Sequence, residues 1–325
     1  MNVFVTGEAG FIGSNLPASF KKLGHTVVSG LKANMLSTHK GEPCVHQNNK
    51  DQWSKFFRDN NIEVVVHNAA VVGTDVVALN QKESTLTNVM GTHNICQAAK
   101  SESIPVCYMG TSVIYDTPRY QESAITESSD INPSTFYGAQ KLSGEYVVKS
   151  TVKDWLIMRP LFAYGGVGDM NSLIAKTFYG YKNKEDSIDM FLDPNKSKDY
   201  MHVEDFCDAV ALACHEGLWG NDFNVSAEEP IATWEIIEKM SGVCGYDLEY
   251  ILNWYPETDY LGNHVLSSEK FRQKTGWSPK RTFDSGLVKS WRSILSARKS
   301  YNPLIHLQEA REKGVDLNQF FPKKM

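Results

Sequence analysis

Asn2-Val3-Phe4-Val5-Thr6-Gly7-Glu8-Ala9-Gly10-Phe11-Ile12-Gly13 stands at the start of the chain. Its first residues form an apolar run of β type, and from Phe11 to Leu23 the pattern turns helical. A strand that turns at once into a glycine-spaced helix start has the form of a dinucleotide cradle. Gly7 permits the tight turn, Gly10 lets the backbone approach a pyrophosphate, and Gly13 lets the helix pack closely on the strand. The spacing is Gly-x-x-Gly-x-x-Gly, not the Gly-x-Gly-x-x-Gly of dehydrogenases with a separate cofactor domain. Three glycines alone carry little; the strand before them and the helix after them give the run its meaning. The pyrophosphate is expected on the amides of Phe11 and Ile12, at the helix N-terminus.

Beyond this turn, strand-like and helix-like segments alternate. Strands are read at 2–6, 25–29, 63–67, 105–110, 154–159 and 221–225, and helices near 11–22, 51–60, 83–101, 136–150 and 203–217. Alternation with crossover helices calls for a parallel sheet covered on both faces. The continuous run Val64-Val65-Val66 suits a strand buried on both sides. The expected fold is therefore α/β: a doubly wound, Rossmann-type parallel sheet in a dinucleotide-binding domain over residues 1–160. Residues 161–300 are expected to form mostly a smaller substrate lobe, with 199–226 returning to the main sheet, and 301–325 a C-terminal extension. Within that extension, Leu304 to Gly314 reads as a short helix stopped by glycine. Pro17 sits inside the first helix, where it removes a backbone donor and is expected to kink it.

Composition sets outer bounds. The 325 residues suffice for a large core, and 42% hydrophobic and 22% charged residues are ordinary for a globular protein. A formal charge of −5 argues against nucleic acid or an anionic membrane as partner. The six cysteines are scattered without a Cys-x-x-Cys and suit reduced, buried thiols of a cytoplasmic protein. The nine histidines show no metal spacing, so no metal is expected. No stretch approaches 18 apolar residues, and the first strand leaves no room for a signal peptide.

Chemistry enters at Tyr137-Gly138-Ala139-Gln140-Lys141. A Tyr-x-x-x-Lys pair puts both side chains on one face of a helix. A nearby ammonium is expected to lower the phenol pKa from about 10 towards neutrality. A phenol so tuned can exchange a hydroxyl proton while hydride moves to or from a nicotinamide. The preceding strand-like run ends in Thr111-Ser112-Val113-Ile114-Tyr115, which places a hydroxyl at a strand's carboxyl end, where open α/β sheets bind ligands.

With Thr111, Tyr137, Lys141 and the Gly7/Gly10/Gly13 turn, the chain resembles an extended short-chain dehydrogenase/reductase, of the NAD(P)-dependent sugar-nucleotide epimerase/dehydratase branch. Other segments fall in the family's order: Val64 to Ala70, Asn88-Val89-Met90-Gly91-Thr92, Arg159-Pro160, Asp199 to Asp205, Asn224-Val225-Ser226 and Thr275 to Pro279. The resemblance implies Tyr137 as acid/base, Lys141 as its tuner and ribose anchor, and Thr111 as partner of the substrate hydroxyl. It implies cofactor contacts at Gly7, Gly10, Phe11, Ile12, Gly13, Ser29, Lys32, Asn48, Ala69, Ala70, Tyr137, Lys141 and Pro160. Substrate contacts are implied at Ser112, Val113, Phe162, Lys176 and Lys198, and a homodimer through the helices near 83–101 and 136–150.

Departures from the family pattern narrow the reaction. Dehydratases of the family follow the catalytic threonine with Asp-Glu; here Ser112 and Val113 stand there, which disfavours water elimination. A cysteine would mark 3,5-epimerisation at Val113. A C4 epimerase or a 4-ketoreductase of a nucleotide-linked sugar remains, with a reductase of some other substrate or a non-catalytic dinucleotide sensor as alternatives. Phe162 replaces a usual asparagine, Lys198 a usual arginine, and Tyr255-Pro256-Glu257-Thr258-Asp259 lacks the arginine that grips diphosphate. For the dinucleotide, NAD-preferring relatives end their second strand with an acid. Here Val27-Val28 leads into Ser29-Gly30-Leu31-Lys32, so NADP is expected over NAD, held by Ser29 and Lys32.

Overall fold

The parallel pairing begins at the first strand. In the computed structural model, which describes residues 1–29, 38–39, 42–43, 50–166 and 172–296, β1 (Asn2–Thr6) lies between β2 (Thr26–Val28) and β3 (Val64–His67). The sheet continues through β4 (Val106–Met109), β5 (Trp155–Pro160) and β6 (Asn221–Val225), all parallel, in the order β2-β1-β3-β4-β5-β6. The order reverses beside β1, so the switch point of the sheet lies between the carboxyl ends of β1 and β3.

Burial on both faces explains the strand composition. Val3, Val5, Val64, Val66, Cys107, Met109, Leu156, Met158 and Phe223 join one core layer with Leu16, Phe20, Phe206 and Val210. The alternate strand residues Phe4, Val65, Val106, Tyr108 and Ile157 join the other, with Trp53, Phe56, Phe57, Ile95 and Val148. The helices that supply these contacts are α1 (Phe11–Lys22), α2 (Lys50–Asp59), α5 (Thr92–Ser101), α6 (Phe136–Thr151) and α8 (Val203–His215). Between α2 and α5 run two short helices, α3 (Thr74–Leu79) and α4 (Gln81–Thr85). The expected long helix over 83–101 is interrupted by a π-turn at Leu86–Gly91, which adds a residue to the turn and re-aims Asn88. Pro17 does not end α1, which continues to Lys22 and is tied to α8 by Ser19 and Lys22 on Asp208 (2.6 and 2.8 Å).

A second apolar core gathers Tyr164, Phe178, Tyr179, Ile188, Tyr200, Ile236, Met240, Phe283 and Leu287. It is framed by a three-stranded sheet, Pro230–Ala232, Ser197–His202 and Phe162–Tyr164, and by the pair Leu252–Trp254 and Ile188–Met190. Residues 301–325, and Cys44, lie outside the described residues. Cys96, Cys107, Cys207 and Cys214 are free and buried, as expected of reduced thiols. No helix among the described residues is long and apolar enough to cross a membrane.

Three histidines are buried neutral: His67 and His264, each with a pKa lowered by burial to about 3, and His202, lowered by burial to about 4. Unfolded, each binds a proton below about 6.5. The unfolded chain therefore holds more protons than the folded chain between about pH 4 and 6.5, and stability falls as pH drops through that window. Asp199, whose carboxyl burial raises to about 6, works against them between its unfolded value and pH 6. Three groups against one leaves a net loss on the order of several kcal/mol. Urea unfolding from pH 7 to 4 should show this loss, and His264→Leu should flatten it; a flat profile in the parent protein would contradict the burial argument.

Candidate active site

Two loops meet at the switch point. The Thr6 hydroxyl, at the end of β1, accepts from the Asn68 and Ala69 amides after β3 (3.0 and 2.9 Å). Gly7 has φ +68°, and a Cβ there would stand 2.8 Å from Ala69 Cα, so only glycine lets the loops approach this closely. At Gly13 a Cβ would overlap the Gly7 carbonyl, so this glycine packs the helix onto the turn itself. Gly10 caps α1 without a side-chain hydrogen bond, and the first turn holds no acid. The amides of Phe11 and Ile12 lack intrahelical acceptors by their position in the first turn, which suits them to an anion. Ala69 is buried and Ala70 half-buried beside them. These residues fit a dinucleotide: the turn is shaped by glycines that a Cβ would fill.

Ser29, the residue after β2, donates through Oγ to Glu8 Oε1 at 2.7 Å. Read along the chain, β2 ends without an acid. The fold supplies one from the glycine turn, 21 residues away in sequence. Lys32 and Asn48 lie outside the described residues.

The second group forms at the end of β4. Thr111 is extended (φ −161°), and its Oγ1 accepts from the Val113 amide at 3.4 Å, opening a short 3₁₀ turn over Ser112–Ile114. Thr135 caps α6 by accepting from the Gly138 amide (3.0 Å), which fixes Tyr137 and Lys141 one turn apart on that helix. Gly138 is needed there, since a Cβ would meet the Val113 carbonyl at 2.7 Å. Tyr137, half-buried, and Thr111 share a hydrogen bond. Lys141 is buried with its ammonium 4.1 Å from the centroid of the Tyr108 ring.

The expected tuning of Tyr137 needs correction. Burial raises its pKa above the ordinary value of 10, opposed by the Thr111 hydrogen bond and reinforced by Tyr260. Lys141 is itself lowered to about 7 by burial, against the pull of Glu145. Removing both groups from water disfavours phenolate and ammonium alike.

Between the two groups runs a buried polar chain. His67 Nδ1 pairs with Thr6 Oγ1 (2.7 Å) and its Nε2 with Thr92 Oγ1 (2.9 Å), while Thr92 donates to the Asn88 carbonyl (2.7 Å). The Asn88 side chain accepts from the Val71 amide (2.7 Å) and donates to the Val71 carbonyl (2.9 Å) and Gln140 Oε1 (2.8 Å). Gln140 donates in turn to Ser84 and Thr85 (3.0 and 2.9 Å). The helix bearing Tyr137 and Lys141 is thus pinned to the π-turn and to the loop after β3. Asn88, Gln140 and Tyr260 were not among the candidates read from sequence. The π-turn that aims Asn88 leaves no mark in hydrophobic periodicity, and Tyr260 approaches from 123 residues beyond Tyr137.

The substrate candidates divide. Ser112 is buried and Val113 half-buried beside Thr111. Phe162 stacks on Tyr200 (centroids 5.3 Å apart) and meets the edge of His264. Lys176 lies over Phe191 at 5.8 Å from its centroid, and Phe191 stacks on Tyr255. Pro160 ends β5. Lys198 is a correction: it is fully buried and bonded to both Asp259 oxygens (3.0 and 2.7 Å) and to the Gly262 carbonyl. Its charge is spent internally, so it does not face a ligand. Arg159, read as part of a motif, is also internal: it forks onto Glu145 (2.9 and 2.7 Å) and reaches Asp222 and Tyr115.

Comparison with known proteins agrees with this architecture. Among curated proteins, dTDP-glucose 4,6-dehydratase of Neisseria meningitidis serogroup B is 23% identical, covering 89% of this chain and 91% of that protein. The structure of Thermus thermophilus UDP-glucose 4-epimerase in complex with NAD superposes with a TM-score of 0.74 at 23% identity, covering 91% of this chain and 100% of the other. The structure of RMD from Pseudomonas aeruginosa complexed with NADPH gives a TM-score of 0.76 at 19% identity, covering 91% and 99%. The model of the NAD dependent epimerase/dehydratase family matches residues 3–226, more than half of the sequence, and the chain belongs to that family of enzymes.

Proposed function

We propose that the chain is an NAD(P)-dependent oxidoreductase or epimerase that works at a secondary alcohol or ketone of a nucleotide-linked sugar, as a C4 epimerase or a 4-ketoreductase. The observation that carries this reading is the Thr111–Tyr137–Lys141 group, formed at the carboxyl end of β4 and linked through His67 to the end of β1. When bound, the nicotinamide supplies or receives the hydride. Tyr137, held protonated by burial, gives a proton to the substrate oxygen or takes one from it, and Thr111 orients that oxygen. Lys141 anchors the nicotinamide ribose beside the phenol.

The pyrophosphate rests on the Phe11 and Ile12 amides, with Gly7, Gly10 and Gly13 as its cradle and Ala69 and Ala70 lining it, while Pro160, three strands away at the end of β5, borders the nicotinamide end. The sugar nucleotide lies between residues 1–160 and the second core of 161–300, near Ser112, Val113, Phe162 and Lys176. Water elimination is disfavoured because Ser112 and Val113 offer no carboxylate beside Thr111. Met90, Phe136 and Tyr146 (44, 42 and 63% exposed) on the segments 83–101 and 136–150 support a homodimer. A monomer by light scattering at micromolar concentration would reject it.

The reading is tested by incubating the purified protein with UDP-, GDP- and dTDP-linked hexoses and 4-ketohexoses, with either dinucleotide. Interconversion of C4 epimers without net change in dinucleotide indicates the epimerase, and stoichiometric oxidation of the reduced dinucleotide indicates the reductase. No turnover with any of them would set the nucleotide-sugar reading aside.

A further inference from the structure

Residues 259–263 are tied down on both sides of a single aromatic residue, Tyr260. On one side, Asp259 takes the buried Lys198 and accepts from the amides of Asp193, Leu261 and Gly262 (3.1, 3.3 and 3.2 Å), while Lys198 donates to the Gly262 carbonyl. On the other, Gln121 donates to the carbonyls of Leu261 and Asn263 (3.0 and 3.2 Å) and accepts from the Asn263 amide (2.7 Å). Gly262 stands at φ +59°, and a Cβ there would lie 2.2 Å from Gln121, so the turn closes only with glycine. A buried ion pair is a weak source of net stability, and fixing one backbone arrangement is a better account of it. Here the arrangement that it fixes presents Tyr260.

The Tyr260 hydroxyl shares a hydrogen bond with Thr74 Oγ1 at 3.1 Å. Thr74 opens α3 behind Gly73 (φ +95°), on the segment that leaves the end of β3. The contact therefore joins the second lobe to the dinucleotide-binding half, 186 residues away in sequence. It does so beside Tyr137, with which Tyr260 interacts electrostatically. Both hydroxyls are neutral and half-buried, so the pair can part and re-form without moving a charge out of water.

We propose that Tyr260 is a positioning residue, latched to Thr74 so that the second lobe closes over Tyr137 and holds the sugar against it. The inference deepens the nucleotide-sugar reading given above and rests on it. Substrate entry parts the two hydroxyls, and their return behind the bound sugar excludes water and fixes the reacting carbon relative to the phenol and the nicotinamide. The knot of Lys198, Asp259 and Gln121 keeps Tyr260 in place while the latch is open, so closing orders little more than one side chain.

The test is a double-variant cycle on the whole protein: wild type, Tyr260→Phe, Thr74→Val, the two combined, and Thr74→Ser. Each is followed through the absorbance of the reduced nicotinamide at saturating sugar nucleotide, with dinucleotide affinity and a thermal melt measured alongside. Each single variant is expected to lower kcat about ten- to hundredfold, with dinucleotide affinity and melting temperature little changed. The combined variant should fall no further than the singles, because each already opens the latch, and Thr74→Ser should keep nearly the wild-type rate. Single variants that turn over like wild type, or losses that multiply in the combined variant, would overturn the latch while the nucleotide-sugar reading stands. Losses of rate that only track losses of melting temperature would make the contact structural and overturn it equally. A folded wild type that turns over none of the sugar nucleotides would overturn the parent reading, and the latch with it.

Discussion

Glu145→Ala is expected to lower the stability of the folded chain by about 3–5 kcal/mol, because it takes the forked carboxylate partner from a buried guanidinium. Arg159 is 1% exposed and Glu145 2%, and the two form a forked pair with both carboxylate oxygens engaged. Gly110 makes the pair possible: a Cβ there would stand 2.7 Å from Glu145 Oε1. Arginine cannot escape the loss by deprotonating, and the pair raises its pKa further. After the substitution it keeps Asp222 (3.0 Å) and the Tyr115 hydroxyl (2.8 Å), which are too few for five donors. The cost falls on the site as well, since Glu145 is the group that pulls the Lys141 pKa up against burial. Urea unfolding monitored by circular dichroism measures the effect. A loss under about 1 kcal/mol would mean that water reaches Arg159 and that the pair is not buried as described. The double variant Glu145→Leu with Arg159→Met should recover much of the loss, because an apolar pair of similar volume needs no desolvation.

What was legible in the sequence is what depends on neighbours in the chain. The glycine turn, the six strands of the sheet and the helical Tyr137/Lys141 spacing are local patterns, and the observed strands differ from the expected ones by a residue at most at each end. The polar site depends on distant neighbours, and there the sequence misleads. Lys198 looked like a phosphate ligand because lysines are seldom buried. Its partner Asp259 lies 61 residues on, and only the fold brings it near. Ser29 looked as if it closed a strand without an acid, because Glu8 belongs to another element. Tyr137 looked like an acidified phenol because spacing shows a neighbouring charge but not the loss of water that accompanies burial. Arg159 and Asn224, read only as members of family-ordered segments, are joined through the Tyr115 hydroxyl, which donates to Asn224 Oδ1 (2.8 Å) and receives from Arg159. Their place in the order reflects packing at the sheet's edge.

Tyr137→Phe is expected to reduce turnover by about 10²–10⁴-fold, the usual contribution of a positioned acid or base. The substitution removes one oxygen and leaves the ring, so α6 and its cap at Thr135 should be undisturbed. Thr111 loses its partner phenol but keeps the Val113 amide. Dinucleotide affinity should change little, since the cradle of Gly7 to Gly13 lies on other elements. A fall in kcat with unchanged affinity therefore separates a chemical role from a structural one. The measurement that bears most directly on the central claim is a single-turnover experiment. The absorbance of the reduced nicotinamide is followed after mixing the dinucleotide-loaded protein with its sugar substrate, for wild type and Tyr137→Phe side by side. The expected result is hydride transfer in wild type and its loss by two orders of magnitude or more in the variant at equal dinucleotide occupancy. Equal rates in the two proteins would contradict Tyr137 as the acid/base and the mechanism built on it.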